Sequence, residues 1–91
     1  MQSILQNNKE CFVTGRTGGL HKHHIYGASN RMISEDNGFW VWLTPEYHNM
    51  SDKGVHFNRD FDLHLKELCQ REYEKTHTRE EFMRLIGRNY L

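Results

Sequence analysis

The chain is poor in cysteine and contains no long apolar segment. Its two cysteines, Cys11 and Cys69, lie far apart and form no C-x-x-C pair. This spacing argues against a disulfide framework and indicates free thiols in a reducing compartment. No apolar run approaches the roughly 20 residues of a membrane-spanning helix, and the first residues show no signal-peptide pattern. We therefore expect a cytoplasmic protein with no membrane partner.

The chain also lacks an excess of charge of either sign. Its 12 lysines and arginines balance 12 acidic residues, so no overall field draws the protein onto nucleic acid and any such contact must be local. Hydrophobic residues make up 36% and charged residues 26% of the chain, which is typical of a compact soluble protein. At 91 residues the chain is predicted to be a single domain with a small core.

Histidine, by contrast, is frequent, with 7 residues in the chain. Imidazole is the side chain whose charge and metal binding change near neutral pH. His23 and His24 lie in a predicted strand from Leu20 to Tyr26, and His48 lies in a helix predicted to start at Thr44-Pro45. That start is well marked, because threonine is a preferred N-cap and proline suits the first helical position. Histidine chemistry is therefore the first function to consider.

The remaining elements follow from apolar patterns and turn residues. Cys11 to Val13 and the strand that ends at Tyr26 are predicted to form a hairpin, preceded by a loosely held arm at residues 1–10. The strongest strand signal is Phe39 to Leu43, which follows a predicted loop from Gly27 to Gly38. Three helices are predicted: Pro45 to about Lys53, Arg59 to about Lys75, and Thr78 to Gly87.

The order of strand, loop, strand and helix around the histidines suggests an α+β protein with one metal ion. Neighbouring residues of a strand point to opposite faces, so His23 and His24 are not expected to bind the same ion. We assign His23 to the metal and His24 to a water molecule, as a general base. His48 is the second predicted ligand. A catalytic ion requires three protein ligands and open positions, so a third ligand is needed.

Two residues compete for the third ligand position. Asp52 is the fourth residue after His48 and would lie about one helical turn away on the same face. A continuous helix would separate His56 from His48 by roughly 12 Å. His56 can join the site only if Gly54 ends the helix and the chain turns back. The spacing leaves both residues open.

These segments resemble the HNH endonuclease family, whose ββα-metal fold holds a divalent ion. The resemblance lies in Lys22-His23-His24-Ile25, in Asn37 before a strand, and in Thr44-Pro45-x-x-His48. The adjacent histidines and the Thr-Pro helix start are similar to those of DNase colicins, whereas Gly54-Val55-His56 resembles small phage-type HNH proteins.

The resemblance implies a fold and a set of roles. One domain would contain a ββα-metal (HNH or His-Me finger) core at about residues 11–58, with additional C-terminal helices at about residues 59–91. His24 would be the general base. Asn37 would steady the loop behind the base, with Asn30 as its substitute. The metal ligands would be His23, His48 and, since imidazole is the commoner ligand in the family, His56.

The activity that the resemblance implies is hydrolysis of DNA phosphodiester bonds, leaving 5′-phosphate and 3′-hydroxyl ends. The cofactor would be one divalent ion, either Mn, Ni, Co, Zn or Mg. Lys22 and Arg31 are predicted to contact the substrate, with Arg16 and Lys53 near them in sequence. Such a protein would act in a bacterial cytoplasm, encoded by a phage or a bacterium, beside proteins of phage packaging or recombination. The alternative is a noncatalytic nucleic-acid-binding module in which the same three histidines hold a structural zinc.

Overall fold

A two-stranded antiparallel sheet lies at the centre of the computed structural model, which describes residues 1–91. The elements in chain order are β1 (His21–His24), a 3-10 helix (Ala28–Asn30), α1 (Arg31–Asn37), β2 (Trp40–Leu43), α2 (Pro45–His48), α3 (Arg59–Tyr73) and α4 (Arg79–Ile86). The protein is therefore α+β, as the sequence predicts. None of its helices combines the length and the apolar character that crossing a membrane requires.

The register of the sheet sorts the histidines between its two faces. His23 pairs with Val41, which is fully buried in the core. His21 lies on the same face of β1 as His23, because side chains alternate along a strand. His24 lies on the opposite face, across from Trp40. His23 and His24 therefore point in opposite directions.

The segment from Gly27 to Gly38, predicted as a loop, contains the 3-10 helix and α1 instead. Asn37-Gly38 is a hairpin-turn signal, but here Gly38 ends α1 in the left-handed conformation, with φ of 73°, and its N–H donates to Ser34 O. The buried side of α1 is fixed by Ser34, whose hydroxyl donates to Tyr26 O at 2.6 Å and accepts from Tyr26 N at 3.2 Å. The loop prediction is wrong because this tertiary contact leaves no local pattern.

The N-terminal segment is bound along the outer edge of β2. The Gln6 side-chain oxygen accepts from Trp42 N at 2.8 Å, so residues 1–10 are not the loosely held arm that was expected. Phe12 N donates to Trp42 O at 2.8 Å, and Cys11 to Val13 therefore lies against β2 rather than forming a hairpin with β1. These bonds cover a strand edge that would otherwise be open to pairing with another chain.

The two C-terminal helices begin at the caps that the sequence predicts. The Asn58 side chain accepts from Phe61 N at 3.1 Å at the start of α3. Thr78 and Glu81 form a capping box at the start of α4, and Gly87 follows the helix in the left-handed conformation. Each of these signals involves bonds between residues close in sequence, which is why it can be found without knowledge of the fold.

The core lies between the sheet and the two C-terminal helices. Tyr26 packs edge-on against Phe39 and Phe82, with ring centroids 5.5 and 5.4 Å away. Its hydroxyl donates to Lys66 O in α3 at 2.6 Å, and this bond ties the end of β1 to that helix. The buried core cluster comprises Cys11, Ile25, Tyr26, Phe39, Val41, Leu43, Val55, Leu65, Cys69, Phe82 and Ile86. Both cysteines are free thiols.

Candidate metal centre

Three histidines from separate parts of the chain converge beside the sheet. His23 comes from β1, His48 from the end of α2 and His56 from the segment after it, and one ring nitrogen of each lies within 4.8 Å of the others. The Nε2 atoms of His48 and His56 are 3.1 Å apart. The ring of His23 lies 5.3 Å, centroid to centroid, from each of the other two. The trio could hold a metal ion.

A sharp turn after α2 brings His56 back to the site. Val55 N donates to Tyr47 O at 2.8 Å, and His56 N donates to His48 O at 3.1 Å. The turn passes so close to α2 that a Cβ atom on Gly54 would lie 2.7 Å from His48 O. The predicted extension of α2 to about Lys53 is therefore wrong, because the helix ends at His48.

The turn places the two predicted third ligands differently. His56 joins the trio, whereas Asp52 is exposed on the turn and lies outside the group. The chain turns back, as the His56 alternative requires, but the helix ends at His48 and not at Gly54 as that prediction assumed. His23 is buried, His48 is half-buried and His56 is exposed, so one side of the site is open to solvent.

His23 carries a buried nitrogen that has no hydrogen-bond partner. The residue is 6% exposed, and its Nε2 atom is fully enclosed and unpaired. Burial lowers the pKa of His23 from 6.5 to about 3, and the nearby His48 and His56 add to the shift. Burial likewise lowers the pKa of His48 to about 4. Neutral imidazoles have the free lone pair that a divalent transition metal binds, so these residues fit such an ion.

The predicted general base, His24, contacts an acidic residue that the sequence did not single out. His24 Nε2 lies 3.4 Å from Glu35 Oε1 in α1. The same carboxylate accepts from Lys22 Nζ at 3.2 and 3.3 Å, and this bond lowers the pKa of Glu35. Glu35 therefore stays ionised and can orient the His24 ring. It was missed because its segment was predicted to be a loop.

Two adjoining cavities bring His24 and the histidine trio together. His23, His24 and His56 line both of them, and Ala28 lies where they meet. The first has a volume of about 420 Å³ and includes Lys66 in its wall. The second, of about 300 Å³, also includes His48, Lys22 and Arg31. His24 thus reaches the same open space as the trio, although it lies on the opposite face of β1.

The predicted substrate contacts differ in how available they are. Arg31 is exposed at the rim of the second cavity. Lys22 lines that cavity too, but its ammonium is held by Glu35 and lies 4.2 Å from the centroid of the Trp40 ring. Arg16 and Lys53 line neither cavity. Arg31 is therefore the cation of this set that is free to meet an anionic ligand.

The structure does not bring Asn37 to His24. The Asn37 side chain donates to Ile33 O within α1 at 2.8 Å, and it lines a different cavity, next to Tyr73 and His77. Its substitute, Asn30, lines the 420 Å³ cavity with His24 and donates to Ile86 O at 3.1 Å. Of the two asparagines, only Asn30 lies near the histidines. It ties the start of α1 to the end of α4.

A fourth histidine, His21, also touches the trio. Its Nδ1 atom lies 3.0 Å from Nδ1 of His48, although the sequence gives it no partner. The signal that could have found it is its spacing, because His21 and His23 are two residues apart on one face of a strand. His64 and His77 are exposed, as expected of surface residues.

Comparison of this chain with protein-family models, with curated proteins and with solved structures finds no match.

Proposed function

We propose that the protein is a metal-dependent DNA endonuclease of the HNH type, with a ββα-metal core formed by β1, β2 and α2. His23, His48 and His56 would hold one divalent ion, and His24 would act as the general base. The observation that carries the proposal is the pair of cavities in which three histidine ring nitrogens and a separate imidazole, that of His24, meet.

The base would be the Nδ1 atom of His24. A neutral imidazole carries one N–H and one lone pair. Because Nε2 of His24 faces the Glu35 carboxylate, that nitrogen donates its hydrogen and the lone pair is left on Nδ1. Nδ1 can then accept the proton of a water molecule as the water attacks phosphorus. Glu35 would stabilise the imidazolium that forms.

The ion, held by His23, His48 and His56, would supply electrostatic stabilisation of the negative charge that develops on the phosphoryl group and on the departing 3′ oxygen. Imidazole ligands favour Mn, Ni, Co or Zn over Mg, which prefers oxygen. Arg31 at the cavity rim would contact a flanking phosphate, and contacts of this kind position a duplex without reading its bases. Since the net charge is +0, we expect binding to be weak and sensitive to salt.

A noncatalytic module with a structural zinc is the alternative, and it would use the same three histidines. Structural zinc sites are normally closed by four protein ligands, whereas catalytic sites keep a position open. The group here contains three residues, and His56 is exposed. The open side of the site therefore favours the enzyme.

A plasmid-nicking assay separates the two functions. Supercoiled plasmid is incubated at low salt with the protein and Mn or Ni, and the assay is repeated with His24→Ala and with His64→Ala as a matched surface control. We expect His24→Ala to lower the nicking rate by about 10²- to 10⁴-fold, the usual contribution of a general base, while its bound metal is unchanged. His64→Ala should behave as the parent does.

Two results would count against the enzyme. If the parent cuts no DNA with any of the metals yet binds one ion per chain, the noncatalytic module is supported. If His24→Ala cuts as fast as the parent, then His24 is not the base.

A further inference from the structure

We infer that His21 is a positioning residue for the metal centre, in that it fixes which nitrogen of His48 faces the ion. This inference rests on the proposed metal site, and it gives a role to a residue outside the ligand trio. The main observation behind the inference is the contact of 3.0 Å between Nδ1 of His21 and Nδ1 of His48. The two rings meet edge to face, with centroids 5.2 Å apart and planes at 80°.

The two nitrogens of His48 face different partners. Nε2 points toward the trio, where it lies 3.1 Å from Nε2 of His56. Nδ1 points away, toward His21. Both ring nitrogens of His48 therefore have a partner, and only one of the two can carry a hydrogen while the ring is neutral.

The hydrogen of His48 must lie on Nδ1 if Nε2 is to bind a metal. In that tautomer Nδ1–H donates to Nδ1 of His21, whose own hydrogen then lies on Nε2. Metal-binding histidines generally donate their second N–H to a carboxylate, a carbonyl or a water, and this bond sets the tautomer and the ring orientation. Here an imidazole occupies that place.

The sheet fixes His21 in this position. His21 pairs with Leu43 in the ladder between β1 and β2, and Leu43 is fully buried. α2 starts directly after β2 and carries His48. The two histidines thus belong to elements that are joined through one strand pair, and the contact between them does not depend on a flexible segment.

Nuclear magnetic resonance of protein labelled with ¹⁵N at histidine tests the inference directly. Long-range ¹H–¹⁵N spectra identify the tautomer of each ring, and Zn²⁺ alone serves as the diamagnetic probe. Four variants are compared with the parent: His21→Ala, His21→Asn, His21→Gln and the surface control His64→Ala. Asparagine puts its side-chain oxygen near the place of Nδ1, whereas glutamine puts it near the place of Nε2.

We expect His48 to carry its hydrogen on Nδ1 in the parent and in His21→Asn, and to populate both tautomers in His21→Ala and His21→Gln. Zn²⁺ affinity, measured in competition with a chelator, should fall by about 10- to 100-fold in His21→Ala and His21→Gln, the usual effect of losing such a partner. His21→Asn should remain within a few fold of the parent. A general loss of folding would lower the unfolding temperature of all three variants and would not distinguish asparagine from glutamine.

The outcomes separate this inference from the proposed metal site. If the parent binds no Zn²⁺, or if His23→Ala binds it as the parent does, the site itself is wrong and the inference falls with it. If His23→Ala loses Zn²⁺ but His21→Ala keeps both the affinity and the His48 tautomer, only the role of His21 is overturned. Zn²⁺ bound to Nδ1 of His48 would also overturn it, since His21 would then be a ligand.

Discussion

Replacement of His23 by leucine should stabilise the metal-free protein or leave its stability unchanged, and should abolish its response to metal. The Nε2 atom of His23 is buried without a hydrogen-bond partner, and an unpaired buried polar group costs about 1–3 kcal/mol. Leucine removes that cost, while imperfect packing of the new side chain takes back up to about 1.5 kcal/mol. The net change in the free energy of unfolding should therefore lie between a loss of about 0.5 kcal/mol and a gain of about 3 kcal/mol for the variant.

Bound metal should stabilise the parent but not the His23→Leu variant. An ion at 100 times its dissociation constant stabilises the parent by about 2.7 kcal/mol, and a domain of this size gains about 4–8 °C in unfolding temperature per kcal/mol. The parent should thus gain about 10–20 °C with Zn²⁺ or Mn²⁺. His23→Leu should gain nothing, because one of the three ligands is missing.

Thermal unfolding followed by circular dichroism, with a chelator and then with excess metal, measures both effects. His64→Leu is the control, because His64 is exposed and changes at such positions usually stay within about 0.5 kcal/mol. A loss of more than about 2 kcal/mol in chelator for His23→Leu would refute the reasoning, since His23 would then be a packing residue with a satisfied ring. An equal rise of both unfolding temperatures with metal would refute the assignment of His23 as a ligand.

Three further predictions follow from the same geometry. The pKa of His23 falls from 6.5 to about 3 on folding, so the unfolded chain binds more protons and the metal-free protein should lose up to about 1.4 kcal/mol per pH unit from this residue as the pH drops below about 6.5. The free energy of unfolding, measured with denaturant between pH 6.5 and 4.5, should fall less steeply with decreasing pH in His23→Leu than in the parent. An equal dependence on pH would contradict the burial of the His23 ring. Gly54→Ala should weaken Zn²⁺ binding by at least about tenfold, because its Cβ would lie 2.7 Å from His48 O; unchanged affinity in a chelator competition would mean that the turn can relax. Glu35→Gln should keep metal affinity but slow plasmid nicking by about tenfold or more, and nicking at the parental rate would show that Glu35 does not orient His24.

The sequence predicts the parts of this protein that depend on neighbouring residues. The N-cap at Asn58 and the capping box at Thr78 and Glu81 form as expected, because each bond spans a single helical turn. The strand before Thr44 is also found close to its predicted bounds, since its run of apolar residues suits no exposed element. The placement of His23 and His24 on opposite faces follows from strand alternation alone.

The parts that failed depend on contacts between distant residues. α1 was missed because two hydrogen bonds between Ser34 and Tyr26 hold it in place. Since Glu35 lies in α1, its contact with His24 was missed as well. Asn37 resembles a loop residue in the sequence, yet it ends a helix and bonds to that helix. His21 looks like an ordinary surface residue until the sheet and α2 are placed together. In each case a partner far along the chain decides the role.

The free-energy cost of the histidine trio favours the interpretation that it binds a ligand. A chain of 91 residues has a small core and little stability to spare, yet this one encloses an unpaired nitrogen at His23 and holds Nε2 of His48 at 3.1 Å from that of His56. The unpaired nitrogen costs free energy, since an apolar side chain would fill the same space without an unsatisfied group. A ligand shared by the three imidazoles would turn that cost into a favourable contact. Because His56 leaves the group open to solvent, another molecule could still reach such a ligand. An open position of this kind distinguishes catalytic metal sites from structural ones.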